Sequence, residues 1–182
     1  MDLKPNYDLF DRQHALRVAD LTYAIALQAG LSERLASRYK KAGYLHDYGK
    51  IFLPADLINK QGPLTDSEFE IIQNHISMGF DALARTRIRG HCICADVALF
   101  HHERLNGSGY IGLRHKAICT ASRIVAIADV FDAMTHDRPY KNAKSKREAL
   151  AYFDRYAGLL FDESYVVALK RLFRTHHDHF SF

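Results

Sequence analysis

The sequence offers few special means of holding itself together. Its three cysteines in 182 residues, Cys92, Cys94 and Cys119, cannot all pair, and a chain of this size does not need disulfide staples. They read as reduced, buried small residues. Cys92 and Cys94 stand two apart on a helix and so face widely separated directions, which argues against a local thiolate metal site. No segment approaches the roughly 20 apolar residues of a membrane span, and Met1-Asp2-Leu3-Lys4-Pro5-Asn6 has no basic stretch followed by an apolar one. The expectation is a soluble, cytoplasmic protein with no membrane partner. No internal repeat, low-complexity tract, interdomain linker or attached sensor or receiver segment is visible, so one domain over residues 1–182 is expected. The basic residues Arg85, Arg87 and Arg89, and later Lys141, Lys144, Lys146 and Arg147, lack the interleaved aromatics of a single-strand platform. They read as solvated surface, and no nucleic-acid polymer is expected as a partner. A net charge of +4 and a pI near 8.9 suit anionic ligands without deciding among them.

Strand-like alternation is also scarce, whereas apolar residues recur at helical spacing, as in Val18, Leu21 and Ile25 after His14. An all-α fold follows. Gly30 ends a first helix, and Ser32 can cap a second that runs through Leu35 and Tyr39 toward His46 and Asp47. Thr65 with Glu68 three residues on is a capping box, opening a helix that carries Phe69, Ile72, His75 and Ile76, with His75 on a buried face. A further helix runs from about His91 through Val97 to His101 and His102, ending at Asn106-Gly107-Ser108-Gly109. Another spans about Ala121 to Met134 with Asp129, and two more are expected around Glu148 and Val166.

Histidine is abundant, at 11 residues, and imidazole is both the commonest nitrogen ligand for transition metals and the usual acid or base near neutrality. His14, His46, Asp47, His75, His101, His102 and Asp129 are spread over five predicted helices, so only a tertiary bundle can gather them. Burying several imidazoles and two carboxylates on apolar faces is costly unless bound cations compensate. A donor set of imidazole and carboxylate without thiolate suits iron, manganese, nickel or zinc. Helical neighbours diverge by about 100°, so His46 and Asp47 serve two ions more readily than one. In that arrangement Asp47 bridges, His14, His46 and Asp129 complete one site, and His75, His101 and His102 the other. His101 and His102 are adjacent and can converge only near a helix end or distortion.

His46-Asp47-Tyr48-Gly49-Lys50 resembles the HD-x-G-K signature, and His101-His102-Glu103-Arg104-Leu105-Asn106-Gly107-Ser108-Gly109-Tyr110 resembles the long motif of the HD-GYP family. Ala128-Asp129-Val130-Phe131-Asp132-Ala133-Met134 and Arg138-Pro139-Tyr140-Lys141 are similar to that family's next two blocks. The resemblance implies an all-α HD-domain helical bundle that hydrolyses cyclic di-GMP to linear pGpG, GMP or both. It implies that the seven residues above are the ligands of two divalent transition-metal ions, iron or manganese first and nickel or zinc as alternatives. It implies further that Lys50 stands beside the scissile phosphate, that Arg138 and Lys141 contact substrate phosphates, and that Gly107, Gly109 and Tyr110 form a substrate-side loop. Asp47 and Lys50 are the expected catalytic residues, with attack by a hydroxide bridging the two ions. A diguanylate cyclase or a sensor protein is carried as a candidate protein partner and a homodimer as a candidate assembly.

Two departures from the family pattern stand out. Gly-Tyr-Pro is Gly109-Tyr110-Ile111 here, in a loop one residue shorter, and because proline fixes φ near −65° its absence is expected to free the loop. Phe10 stands four residues before His14, where some members carry a glutamate for a third metal, so two metals are expected. Two further readings remain beside cyclic di-GMP hydrolysis: a noncatalytic module that binds nucleotide or a partner, and hydrolysis of another nucleotide phosphate.

Overall fold

The computed structural model describes residues 4–86, 90–137 and 142–175. Their regular elements are helical: α1 (Arg12–Gln28), α2 (Glu33–Tyr44), α3 (Ala55–Ile58), α4 (Asp66–Gln73), α5 (His75–Ala84), α6 (His91–Phe100), α7 (Thr120–Thr135), α8 (Lys146–Tyr156) and α9 (Glu163–Thr175). Short 3-10 turns occupy Tyr7–Leu9, Tyr48–Phe52 and His115–Ala117. Among the described residues the only β pairings are the isolated bridges of Asn106 with Arg114 and Ala157 with Phe161. The all-α expectation holds, and no described helix is long and apolar enough to cross a membrane.

α7 is the central element because it is apolar almost all round, burying Ala121, Ile124, Val125, Ile127, Ala128, Phe131 and Met134. α1 packs against it through Val18, Leu21 and Ile25 and also touches α2 and α9. α6 bridges α5, α2 and α7. Phe153 of α8 is fully buried and Phe131 stacks on Phe173 of α9 at 5.0 Å, which closes the far side of the bundle. Each fully buried Ile, Leu or Phe contributes roughly 1.5–3 kcal/mol, so this shared core holds the site-bearing parts of α1, α2, α6 and α7 together.

Caps set where those ends fall. The Asp11 carboxylate accepts the His14 N–H at 3.0 Å, starting α1 so that His14 lies in its first turn. The Thr65–Glu68 capping box forms as expected, and a second one, Ser145 with Glu148, starts α8.

Three local expectations are corrected. α2 stops at Tyr44, so His46 and Asp47 lie past its end, in the turn leading to Tyr48–Phe52. The chain must leave the helix there because Gly49 presses on α5, where an added Cβ would stand 1.8 Å from the His75 carbonyl oxygen. The single helix expected from Thr65 is two, α4 and α5, broken at Asn74. The His75 ring sits 2.7 Å from the Ile72 carbonyl, the acceptor that a continuous helix would offer to residue 76. α4 buries none of its residues, and Phe69 is 41% exposed. Finally, Cys92 is exposed, whereas Cys94 is buried and Cys119 half-buried; all three are free.

Candidate metal centre

The five segments meet in one cluster. His14 comes from the start of α1, His46 and Asp47 from the turn after α2, His75 from the start of α5, His101 and His102 from the end of α6, and Asp129 from α7. The adjacent pair His101-His102 occupies the turn just beyond Phe100, which is how neighbouring residues bring their rings to a centroid distance of 4.0 Å.

Helix ends explain the ring orientations. The last carbonyls of a helix lack internal partners, and three of the imidazoles use them. His46 Nδ1 lies 2.7 Å from the Gly43 carbonyl, His75 Nδ1 2.7 Å from that of Ile72, and His101 Nδ1 3.0 Å from that of Val97. A carbonyl oxygen only accepts, so each Nδ1 is the donor and Nε2 is the nitrogen that points inward, with a lone pair to offer whenever the ring is neutral. Those three Nε2 atoms are buried and have no hydrogen-bond partner, and Asp47 Oδ1 shares that state. Unpaired buried polar atoms are costly, and four of them facing one another make a donor set suited to a cation. This is the fit that the imidazole and carboxylate composition leads one to expect.

Asp47 divides the set in two. Its Oδ1 is 3.4 Å from His75 Nε2 and 3.6 Å from His101 Nε2, whereas its Oδ2 is 3.3 Å from His46 Nε2 and 3.9 Å from His14 Nε2. Asp129 Oδ1 joins the second side, 3.3 Å from His14 Nε2 and 3.8 Å from His46 Nε2. The potential ligand atoms of Asp47, His75, His101 and His102 lie within 4.8 Å of one another, as do those of His14, His46 and Asp129. All seven sequence-predicted residues are thus brought together, in the two groups that their spacing suggested.

Burial and neighbours set the charges. Burial alone would raise the Asp47 carboxyl, but Lys50 and His46 hold it well below the ordinary range. Asp129 is likewise lowered against its burial, chiefly by His14. Burial pushes His75 down to about 4, and His101 and His102 move the same way for the same cause. His14 differs: burial opposes its charge, yet Asp129 and Asp132 outweigh it and raise the ring to about 9.

Lys50, one 3-10 turn beyond Asp47, donates to Asp47 Oδ2 at 2.5 Å. Tyr110 lies flat on the His102 ring at 4.4 Å with 27° between planes, and its edge meets Phe69 at 5.8 Å. Arg138 and Lys141 lie outside the described residues. Phe10 packs edge-on against Tyr44 and Tyr48, an apolar role.

Three contributors were missed from sequence. Asp132 accepts from His14 Nδ1 at 2.6 Å and from Arg17 Nε at 2.6 Å, so a carboxylate held by an arginine orients that ring. Its signal was present: Asp132 follows Asp129 by one helical turn, as Arg17 follows His14. Glu103, 3% exposed, accepts the N–H groups of Ile111 at 2.8 Å and Leu113 at 2.6 Å. Nothing in its spacing announced these backbone bonds.

A helical bundle whose helix ends converge on two clusters of imidazoles and carboxylates defines a domain suited to holding cations. The chain belongs to the HD domain family, whose model matches residues 4–165. It is 40% identical over 166 residues to a cyclic di-GMP phosphodiesterase of Thermotoga maritima, covering 91% of this chain and 45% of that protein. It is 39% identical over 142 residues to the 3'3'-cGAMP-specific phosphodiesterase 1 of Vibrio cholerae, covering 78% and 32%. In three dimensions it resembles Bd1817, an HDG"Y"P protein from Bdellovibrio bacteriovorus, with a TM-score of 0.72, 20% identity, and 94% of this chain and 55% of that chain covered. The resemblance carried by the motifs is therefore borne out, although the chain spans less than half the length of these curated relatives.

Proposed function

We propose that this chain is a phosphodiesterase dependent on two divalent transition-metal ions, cleaving cyclic di-GMP to linear pGpG, GMP or both. The observation that carries the reading is the division of Asp47, one oxygen toward each group of inward-facing imidazoles. His14, His46 and Asp129 would hold one ion, His75, His101 and His102 the other, and Asp47 both. The donor set suits iron, manganese, nickel or zinc alike, and the family resemblance puts iron or manganese first; the apolar packing of Phe10 supports two ions over three. Held by these residues, the ions would supply positive charge for a phosphate and would acidify water.

The chain's own residues then position the reaction. Lys50, already at the edge of the cluster, offsets charge building up on the phosphoryl group and assists the departing 3′-oxygen. Tyr110, stacked on His102, belongs with Gly107 and Gly109 to the substrate-side loop, and Arg138 and Lys141 bind the substrate's phosphates. The reading takes residues 1–182 as one cytoplasmic domain, with a cyclase, a sensor protein or a second copy as candidate partners. A second substrate, another cyclic dinucleotide, is favoured by the similarity to a 3'3'-cGAMP-specific relative.

Purified protein loaded with manganese or ferrous iron is expected to release linear dinucleotide or GMP from cyclic di-GMP. Asp47→Ala is expected to lose both ions and all turnover, and Lys50→Ala to keep the metal but turn over slowly. Metal-loaded protein that yields no product from cyclic di-GMP overturns the reading, while product from another cyclic dinucleotide alone supports the second substrate.

A further inference from the structure

Position 111 contributes to the fold through its main chain. The Ile111 side chain is 47% exposed, so little packing depends on it, but its N–H donates to Glu103 Oε1 at 2.8 Å. The other oxygen of the same carboxylate accepts the Leu113 N–H at 2.6 Å. Glu103 is almost completely buried and sits directly after His101-His102, so the loop is tied back to the segment that carries two of the inward-facing rings. Gly109 completes the fit: a Cβ there would stand 2.5 Å from the Glu103 Cα and 2.6 Å from its Oε1. Between Gly109 and Ile111, Tyr110 lays its ring flat on His102.

We infer that Glu103 and the Ile111 amide form a latch that holds Tyr110 against His102 and so shapes the substrate side of the centre, making Glu103 a positioning residue. This reverses the expectation that a missing proline frees the loop. Proline has no N–H, and at this position it would remove one of the two donors to a buried carboxylate, where hydrogen bonds to charged groups are worth most. The isoleucine exchanges a fixed φ for a charge-assisted bond. The effect on catalysis rests on the function proposed above; the latch itself does not.

The test compares Ile111→Ala, which keeps the amide, with Ile111→Pro, which deletes it, using Glu103→Gln as an independent disruption. Amide hydrogen exchange at Leu113 is expected to stay slow in Ile111→Ala and to quicken by about tenfold or more in Ile111→Pro and Glu103→Gln. Metal content should be equal in all of them. With cyclic di-GMP, KM should rise about fivefold or more in the two disrupted variants while kcat changes less, as expected for lost positioning. Exchange at Leu113 that is the same in the alanine and proline variants and in Glu103→Gln overturns the latch. A wild type that turns nothing over removes the proposed function but leaves the exchange comparison to decide the latch.

Discussion

At the scale of single residues, Asp132 has the clearest consequence. It fixes the His14 ring through Nδ1 and is itself fixed by Arg17, so Asp132→Asn should leave His14 in place but poorly oriented. Losing such a partner typically weakens metal binding about 10–100-fold. Metal titration is therefore expected to show one ion bound as in the wild type, at the side of His75, and the other markedly weaker. Equal loss at both would mean that the two groups are not separate. This residue also shows how far the sequence could be read. The seven inward-facing side chains were legible because histidine and aspartate on apolar helix faces need compensation. Asp132 was within reach of the same reading, one helical turn from Asp129 and paired with Arg17 one turn from His14, but its role lies in orienting a ring and not in facing the cluster. Glu103 was not legible: its partners are backbone amides eight and ten residues on, and no side-chain pattern encodes them.

Elements were legible by their periodicity and caps, less so by their ends. The Thr65–Glu68 box, the stop at Gly30 and the helix around Asp129 all fall where spacing puts them. The break between α4 and α5 does not, because it depends on a tertiary contact, the approach of Tyr48–Phe52 to α5. Gly49 makes that approach. Gly49→Ala would place a Cβ against the His75 carbonyl, the Gly79 nitrogen and the His75 carbonyl carbon, at 1.8, 2.6 and 2.8 Å. All three are backbone atoms that cannot rotate aside. A loss of about 3 kcal/mol is expected, measurable as a lower urea midpoint. An unchanged midpoint would show that the turn can shift away from α5.

For the molecule as a whole, opposed histidine shifts predict how stability varies with pH once metal is stripped by a chelator. Folded His75 resists its proton until about pH 4, against 6.5 for a free imidazole. Between those values the unfolded chain binds more protons, so acidification favours unfolding by up to about 1.4 kcal/mol per pH unit. His101 and His102 act in the same direction. His14, raised to about 9, stabilises fully below 6.5 and loses that contribution as pH climbs toward 9. The stripped protein should therefore be most stable near pH 6.5, and thermal melts from pH 4 to 9 should trace a maximum there. A melting temperature that only rises or only falls across the range would show that one of the two shifts is wrong.

The carbonyl anchors on His46, His75 and His101 carry a last implication. Because each ring is tethered to a main-chain carbonyl near a helix end and not to its cargo, washing the ions out should leave the cage standing. Cations could then be swapped in a folded protein, and which one it carries would follow the supply where it matures more than any choice made during folding.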